Sequence, residues 1–204
     1  MLNNNIEKSA YDWITAKPAN VDVESEFYCE TRDIFQARLD RLVIMLLRDE
    51  KLKSSISIVS AIAGEIGNNS FDHNLGNWPD VMGIFFGYEI KENKFIIAIA
   101  DRGRGILKTL QRVKSKLKND SEALQTAFTE RISGRAPEKR GNGLKFVKEN
   151  IKTKRMHLTF ISGDAQADLN DKMEIKKIDK KINGCLAVIS LWSRNFNIPD
   201  HCHA

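Results

Sequence analysis

Cysteine and proline are scarce, with three and four copies in 204 residues. Cys29, Cys185 and Cys202 are odd in number and widely spaced, which argues against a disulfide framework or a closely spaced zinc site and fits reduced thiols. Long apolar runs are missing too. The longest, 42–47 and 95–100, fall far short of the roughly 18 residues that cross a bilayer, so no transmembrane helix is expected. The amino terminus reads Met-Leu-Asn-Asn-Asn-Ile-Glu-Lys, with no basic stretch leading into an apolar one and no small-residue cleavage site. Nothing directs export, and the cytoplasm is the expected compartment. Internal repeats and low-complexity tracts are also lacking. What remains is 42% apolar and 29% charged residues, the composition of an ordinary globular chain long enough for a single core.

The net charge of +5 hides a strong local imbalance. Residues 1–53 and 54–101 are each mildly acidic and 156–204 are balanced, whereas 102–155 hold 16 basic and 5 acidic groups. Such a concentration raises the local potential for an anion: a nucleotide, a phosphoprotein or a nucleic acid. A solvated basic face is the alternative.

Hydrophobic spacing supplies the element order. Residues 1–30 read as an arm with short packed pieces around Trp13 and Phe27–Tyr28. From Thr31, a cap residue, Ile34, Phe35, Leu39, Leu42, Val43 and Leu46 recur at helical spacing to about residue 50. That helix either packs on the domain or forms a homodimer contact. A second helix, capped by Ser54 or Ser55, buries Val59, Ile62, Ala63 and Ile66 and runs to about Asn74. Strands at 81–90 and 95–100 form a hairpin, followed by helices over 106–117, 120–131 and from Leu144 through Ile151. Further strands fall at 157–162, around 173–178 and at 185–192. The fold expected is α+β: a two-layer sandwich with helices on one face of a mixed, mostly antiparallel sheet. The chain divides into an arm and amphipathic helix (1–53), a domain (54–192) and a tail (193–204). His201-Cys202-His203 lies on that tail without a fixed geometry for a metal.

Three clusters carry chemistry. Glu65, Asn69 and His73 follow one another at intervals of four and so form a line beside the buried stripe of the second helix. Asn69 offers a neutral oxygen suited to magnesium and Glu65 a base one turn away; a polar helix flank is the competing reading. Asp101 ends an apolar strand, which fixes its carboxylate at the sheet edge. Gly103 and Gly105 then leave the backbone bare, an arrangement that suits adenine, whose exocyclic amine is a donor. Third, Arg135-Ala-Pro-Glu-Lys139-Arg140-Gly141-Asn142-Gly143-Leu144 leads into a helix, combining cations, glycines and a helix amino terminus as a phosphate site does; a surface basic loop is the alternative. The chain contains neither G-x-x-x-x-G-K-[ST] nor G-x-G-x-x-G.

In order and spacing, Glu65-Ile-Gly-Asn-Asn69-Ser-Phe-Asp-His73, Asp101-Arg-Gly-Arg-Gly105 and Gly141-Asn-Gly-Leu144 resemble the three boxes of the GHKL, or Bergerat-fold, histidine-kinase-like ATPases. Phe128 resembles the aromatic of the lid in the kinase branch, and residues 184–191 its closing strand. The resemblance covers roughly 54–192 and is nearest in kind to stand-alone serine kinases of the anti-sigma-factor type or to the ATP-binding domain of sensor histidine kinases. The resemblance implies ATP and Mg2+ as cofactors, Glu65 as general base, Asn69 as magnesium ligand and His73 as part of the nucleotide site. Asp101 would read adenine, and Gly103 and Gly105 would shape the nucleotide wall. Gly141, Asn142, Gly143 and Leu144 would lie near the phosphates, with Lys139 and Arg140 neutralising the γ-phosphate. The helix over 31–50 has no histidine, so the phospho-accepting helix of a sensor kinase is missing. Asp72 stands where a basic residue commonly precedes the histidine of the first box. The activity implied is binding of Mg-ATP under a mobile lid with transfer of the γ-phosphoryl group to a protein partner, or slow hydrolysis. A nucleotide-gated regulatory module with little turnover is the alternative, and a nucleic-acid binder ranks third.

Overall fold

The structure is a computed structural model that describes residues 5–48, 53–91, 94–131, 143–154 and 156–192. It contains helices α1 (Ile6–Thr15), α2 (Arg32–Leu47), α3 (Lys53–Asn74), α4 (Gly105–Gln111), α5 (Asp120–Thr129) and α6 (Gly143–Thr153). The strands are β1 (Tyr28–Cys29), β2 (Ile84–Lys91), β3 (Lys94–Asp101), β4 (His157–Leu169) and β5 (Met173–Trp192). They form one five-stranded sheet in the order β1-β2-β3-β5-β4, and every pairing is antiparallel. The α+β sandwich expected from the sequence is the architecture observed.

Adjacent strand residues point to opposite faces, and the two faces are covered differently. Phe95, Ile97 and Ile99 of β3 join Phe86, Ile84, Ala187 and Ile189 under α2, α3, α5 and α6, in a core that includes Phe35, Leu42, Ile62, Leu124 and Val147. Ile96, Ala98 and Ala100 face the other way, with Phe85 and Leu186, and are covered by Ile6, Ala10, Trp13 and Ile14 of α1. Helices therefore lie mainly on one face, with α1 added on the second. The pieces expected around Trp13 and Phe27 are thus part of the packed domain.

Local signals explain the helices. Thr31 Oγ1 accepts the Ile34 N–H at 3.3 Å and caps α2; Asn5 does the same for α1 and Asn119 for α5. Phe35, Leu39, Leu42 and Leu46 are buried as expected, whereas Ile34 is exposed. The fully buried Phe35 packs edge-on against Phe86 at 5.2 Å between ring centres. Phe35→Ala is expected to cost about 3–5 kcal/mol of unfolding free energy, measured by urea titration, because the cavity would lie between α2, α3 and the sheet.

The sequence suggests three strands after residue 156, whereas the described residues there form two, β4 and β5. Thr159 Oγ1 donates to Asp168 Oδ1 at 2.9 Å across nine positions of the same strand. A straight strand would hold those residues about 30 Å apart, so β4 folds back on itself. The reversal sits at Gly163, which has φ 63° and where the register against β5 slips. The Asp120 carboxylate occupies the space a Cβ of Gly163 would need and accepts the Asp164 N–H at 3.2 Å, tying the start of α5 to this corner.

Candidate functional site

The site is organised along α3. Its buried stripe, Val59, Ile62, Ala63 and Ile66, fixes the helix against the sheet, and the polar residues that follow project towards the ends of β3 and α6. Asn69 Nδ2 donates to Glu65 Oε1 at 3.0 Å. With its amide committed in that sense, the Oδ1 of Asn69 has no protein partner among the described residues. Glu65 abuts the first residue of α6: a Cβ built on Gly143 would lie 1.8 Å from Glu65 Oε1. His73, one turn beyond Asn69, is half-buried on the same line. Asp72 pairs with Arg32 of α2 and so serves the α2–α3 packing, among its other contacts.

The next line on α3, Ser70 and Asn74, holds the second cluster. Asp101 lies at the end of β3, between Ile84 of β2 and Cys185 of β5, and its carboxylate is buried. Ser70 Oγ donates to Asp101 Oδ2 at 2.9 Å, and the Gly103 N–H donates to Asp101 Oδ1 at 2.8 Å. Asn74 Nδ2 donates to the Ser70 carbonyl at 2.8 Å and approaches Asp101 Oδ1 at 3.5 Å, while its Oδ1 accepts the Arg104 N–H at 3.0 Å. Burial raises the pKa of Asp101, and the Gly103 N–H, the Ser70 hydroxyl, the Cys185 N–H and the Asn74 amide offset part of that rise. The turn after Asp101 is thus held by side chains of α3. Ser162 of β4 supports it from the other side, accepting the Ile106 N–H at 2.9 Å.

Two of the glycines also have a packing cause. A Cβ on Gly103 would sit 2.1 Å from Asn74 Nδ2, and one on Gly143 would meet Glu65. Both residues therefore permit close approach of their segments to the polar face of α3. Gly105 is required by its backbone, at φ 73°. Gly103→Ala is expected to push the turn away from α3 and destabilise the chain by about 1–3 kcal/mol, as read from the thermal midpoint; an unchanged midpoint would show that Asn74 moves aside freely.

Arg102, the residue between Asp101 and Gly103, was not singled out from the sequence. Its guanidinium is buried and donates from Nε and Nη2 to Asp80, the shortest contact being 2.6 Å, and from Nη1 to the Trp13 and Ile14 carbonyls at 2.9 and 2.7 Å. It also lies over the Trp13 ring, 6.0 Å from its centre. A cation at the last carbonyls of α1 suits the negative end of the helix dipole. Burial pushes Asp80 up, but the Arg102 guanidinium and the Val81 N–H outweigh it and the net shift is downward. The stabilisation from this pair is complete above the usual carboxylate range near pH 4 and is lost as pH falls through the lowered value. Asp80→Asn is accordingly expected to flatten the acid limb of a stability–pH curve below about pH 4.

Phe128 is a core residue, 5.5 Å from Phe160 and edge-on to it, so α5 is anchored on β4. Leu144 packs half-buried between the main core and the cluster around Leu110 and Ala123. Lys139, Arg140, Gly141 and Asn142 lie outside the described residues, as does the His201-Cys202-His203 tail. The structure thus brings Glu65, Asn69 and Gly143 together at one stretch of α3, and Ser70, Asn74, Asp101 and Gly103 at the next. Ser70 and Asn74 escaped sequence reasoning, although each lies one residue past Asn69 and His73 respectively.

Among the described residues no group of three or more His, Cys, Asp or Glu could hold a metal ion, and no helix is long and apolar enough to cross a membrane. No protein-family model matches the chain, and no curated protein is similar to it.

Proposed function

We propose that the chain binds Mg-ATP between α3, the turn 101–105 and the start of α6, and passes the γ-phosphoryl group to a protein partner or hydrolyses it slowly. The observation that carries this reading is the placement of one helix against both glycine-bearing segments: Glu65 against Gly143, and Asn74 against Gly103. Residues 65–74, 101–105 and 143–144 are remote in the chain, and two such segments meeting one helix suit a single ligand with a base at one end and an anionic tail at the other.

In this reading Asp101 accepts from the adenine amine, whose N–H takes the place of the longest of its protein contacts, that from Asn74 Nδ2 at 3.5 Å. Asn69 Oδ1 is a hard neutral oxygen, a fitting single protein ligand for Mg2+ whose other ligands are phosphate oxygens and water. When bound, the ion would neutralise charge on the phosphates. Glu65 takes the proton of the attacking hydroxyl or water, and the amides at the start of α6 face the phosphates.

Single-turnover phosphate release from γ-labelled Mg-ATP tests this. Slow release by the chain alone supports the enzymatic reading. Binding without release or transfer would reduce the proposal to a nucleotide-gated binding module.

A further inference from the structure

The loop between α3 and β2 forms, with α4, an open hollow of about 570 Å³ lined by Gly76, Asn77, Trp78, Pro79, Arg104 and Lys108. It adjoins the Asp101 network through Arg104, whose N–H Asn74 Oδ1 accepts, but nothing in the proposed nucleotide site uses Trp78 or Lys108. The hollow is held in shape by local contacts. The Asn77 N–H donates to the Asn74 carbonyl at 2.8 Å, the Trp78 ring packs edge-on to Phe71 at 6.2 Å, and Arg104 Nη2 donates to Asn77 Oδ1 at 2.6 Å.

Its chemistry is two-sided. Its apolar part is the half-buried Trp78 and the exposed Pro79, and Leu75 and Met82, at the two ends of the same loop, are 78% and 45% exposed. Arg104 and Lys108, one helical turn apart, supply two cations, and Lys108 has no acidic partner among the described residues. The one acid of the loop, Asp80, is already neutralised by Arg102. Tryptophan and arginine around a shallow hollow are residue types enriched at protein-binding surfaces, and a hollow this open cannot enclose most of a small molecule.

We infer that this hollow docks a protein segment carrying an aliphatic or aromatic side chain flanked by carboxylates. The apolar side chain covers Trp78, and the carboxylates meet Arg104 and Lys108. The inference goes beyond nucleotide binding and does not depend on it, because none of its contacts requires a nucleotide.

The test uses the full chain, nitrogen-15 labelled, without nucleotide. The probes are the peptide Glu-Glu-Leu-Phe-Glu-Glu, blocked at both ends, its counterpart with glutamine in place of glutamate, and inorganic phosphate. The Trp78 indole signal, assigned by its loss in Trp78→Phe, reports on the hollow. The acidic peptide is expected to shift it saturably in the micromolar to millimolar range, the glutamine peptide at least tenfold more weakly, with a similar loss in Lys108→Glu. Lys108 is exposed, so this variant is expected to keep its fold; Arg104→Gln provides a second charge-removing variant. Absence of a saturable shift below about 5 mM, or shifts unaltered by both substitutions, would overturn the inference. Equal shifts with inorganic phosphate would do so too, by making the hollow a small-anion site.

Discussion

Glu65→Gln is expected to lower phosphate release from Mg-ATP by at least about 100-fold while leaving Mg-ATP affinity within a few-fold of the parent. Glutamine keeps the length of the side chain and an oxygen able to accept from Asn69 Nδ2, so the contact at 3.0 Å and the fit against Gly143 survive. What is lost is the ability to take a proton. Loss of affinity together with turnover would instead mark Glu65 as a structural partner of Asn69. Unchanged turnover would remove it from the chemistry altogether.

A loss of stability as large as that of Phe35→Ala is expected at Asp80. Asp80→Ala leaves the buried Arg102 guanidinium, 4% exposed, facing only the Trp13 and Ile14 carbonyls, and an uncompensated buried charge of this kind costs about 3–5 kcal/mol. Combining it with Arg102→Met removes the charge and keeps much of the packing on Trp13. The double variant is expected to be less destabilised than the sum of the single ones, with a coupling of about 1–3 kcal/mol in urea titrations. Strict additivity would mean that Asp80 and Arg102 stabilise the fold independently, against the geometry that joins them. Because Arg102 follows Asp101 directly, a loosened pair would also loosen the turn that carries the carboxylate.

Much of this architecture is written in local spacing. The stripes Phe35-Leu39-Leu42-Leu46 and Val59-Ile62-Ala63-Ile66 are long enough for helical period to be unambiguous, and Asp101 directly follows an apolar strand. The helix α1 is less legible although Ile6, Ala10, Trp13 and Ile14 have the right spacing: it is one short amphipathic turn-and-a-half of apolar cover in a polar context, and its role on the second sheet face is a tertiary fact. The outer half of β4 was hidden by its residues. Ala165, Ala167 and Leu169 alternate with Gln166 and Asp168, but alanine and aspartate carry little strand preference, and the bend at Gly163 is fixed by Asp120 from a different helix. The partners of Asp101 were invisible for the same reason. Ser70 and Asn74 look like helix-ending residues until β3 is brought against α3, and Arg102 looks like a surface cation until α1 arrives from the far face.

Affinity for Mg-ATP and Mg-GTP, measured by calorimetry on the parent chain and on Asp101→Asn with thermal unfolding as a control for folding, bears most directly on the proposed site. A carboxylate that reads an exocyclic amine predicts preference for the adenine nucleotide in the parent and loss of that preference in a folded Asp101→Asn. Equal binding of the two nucleotides by the parent, or failure to bind either, would contradict it.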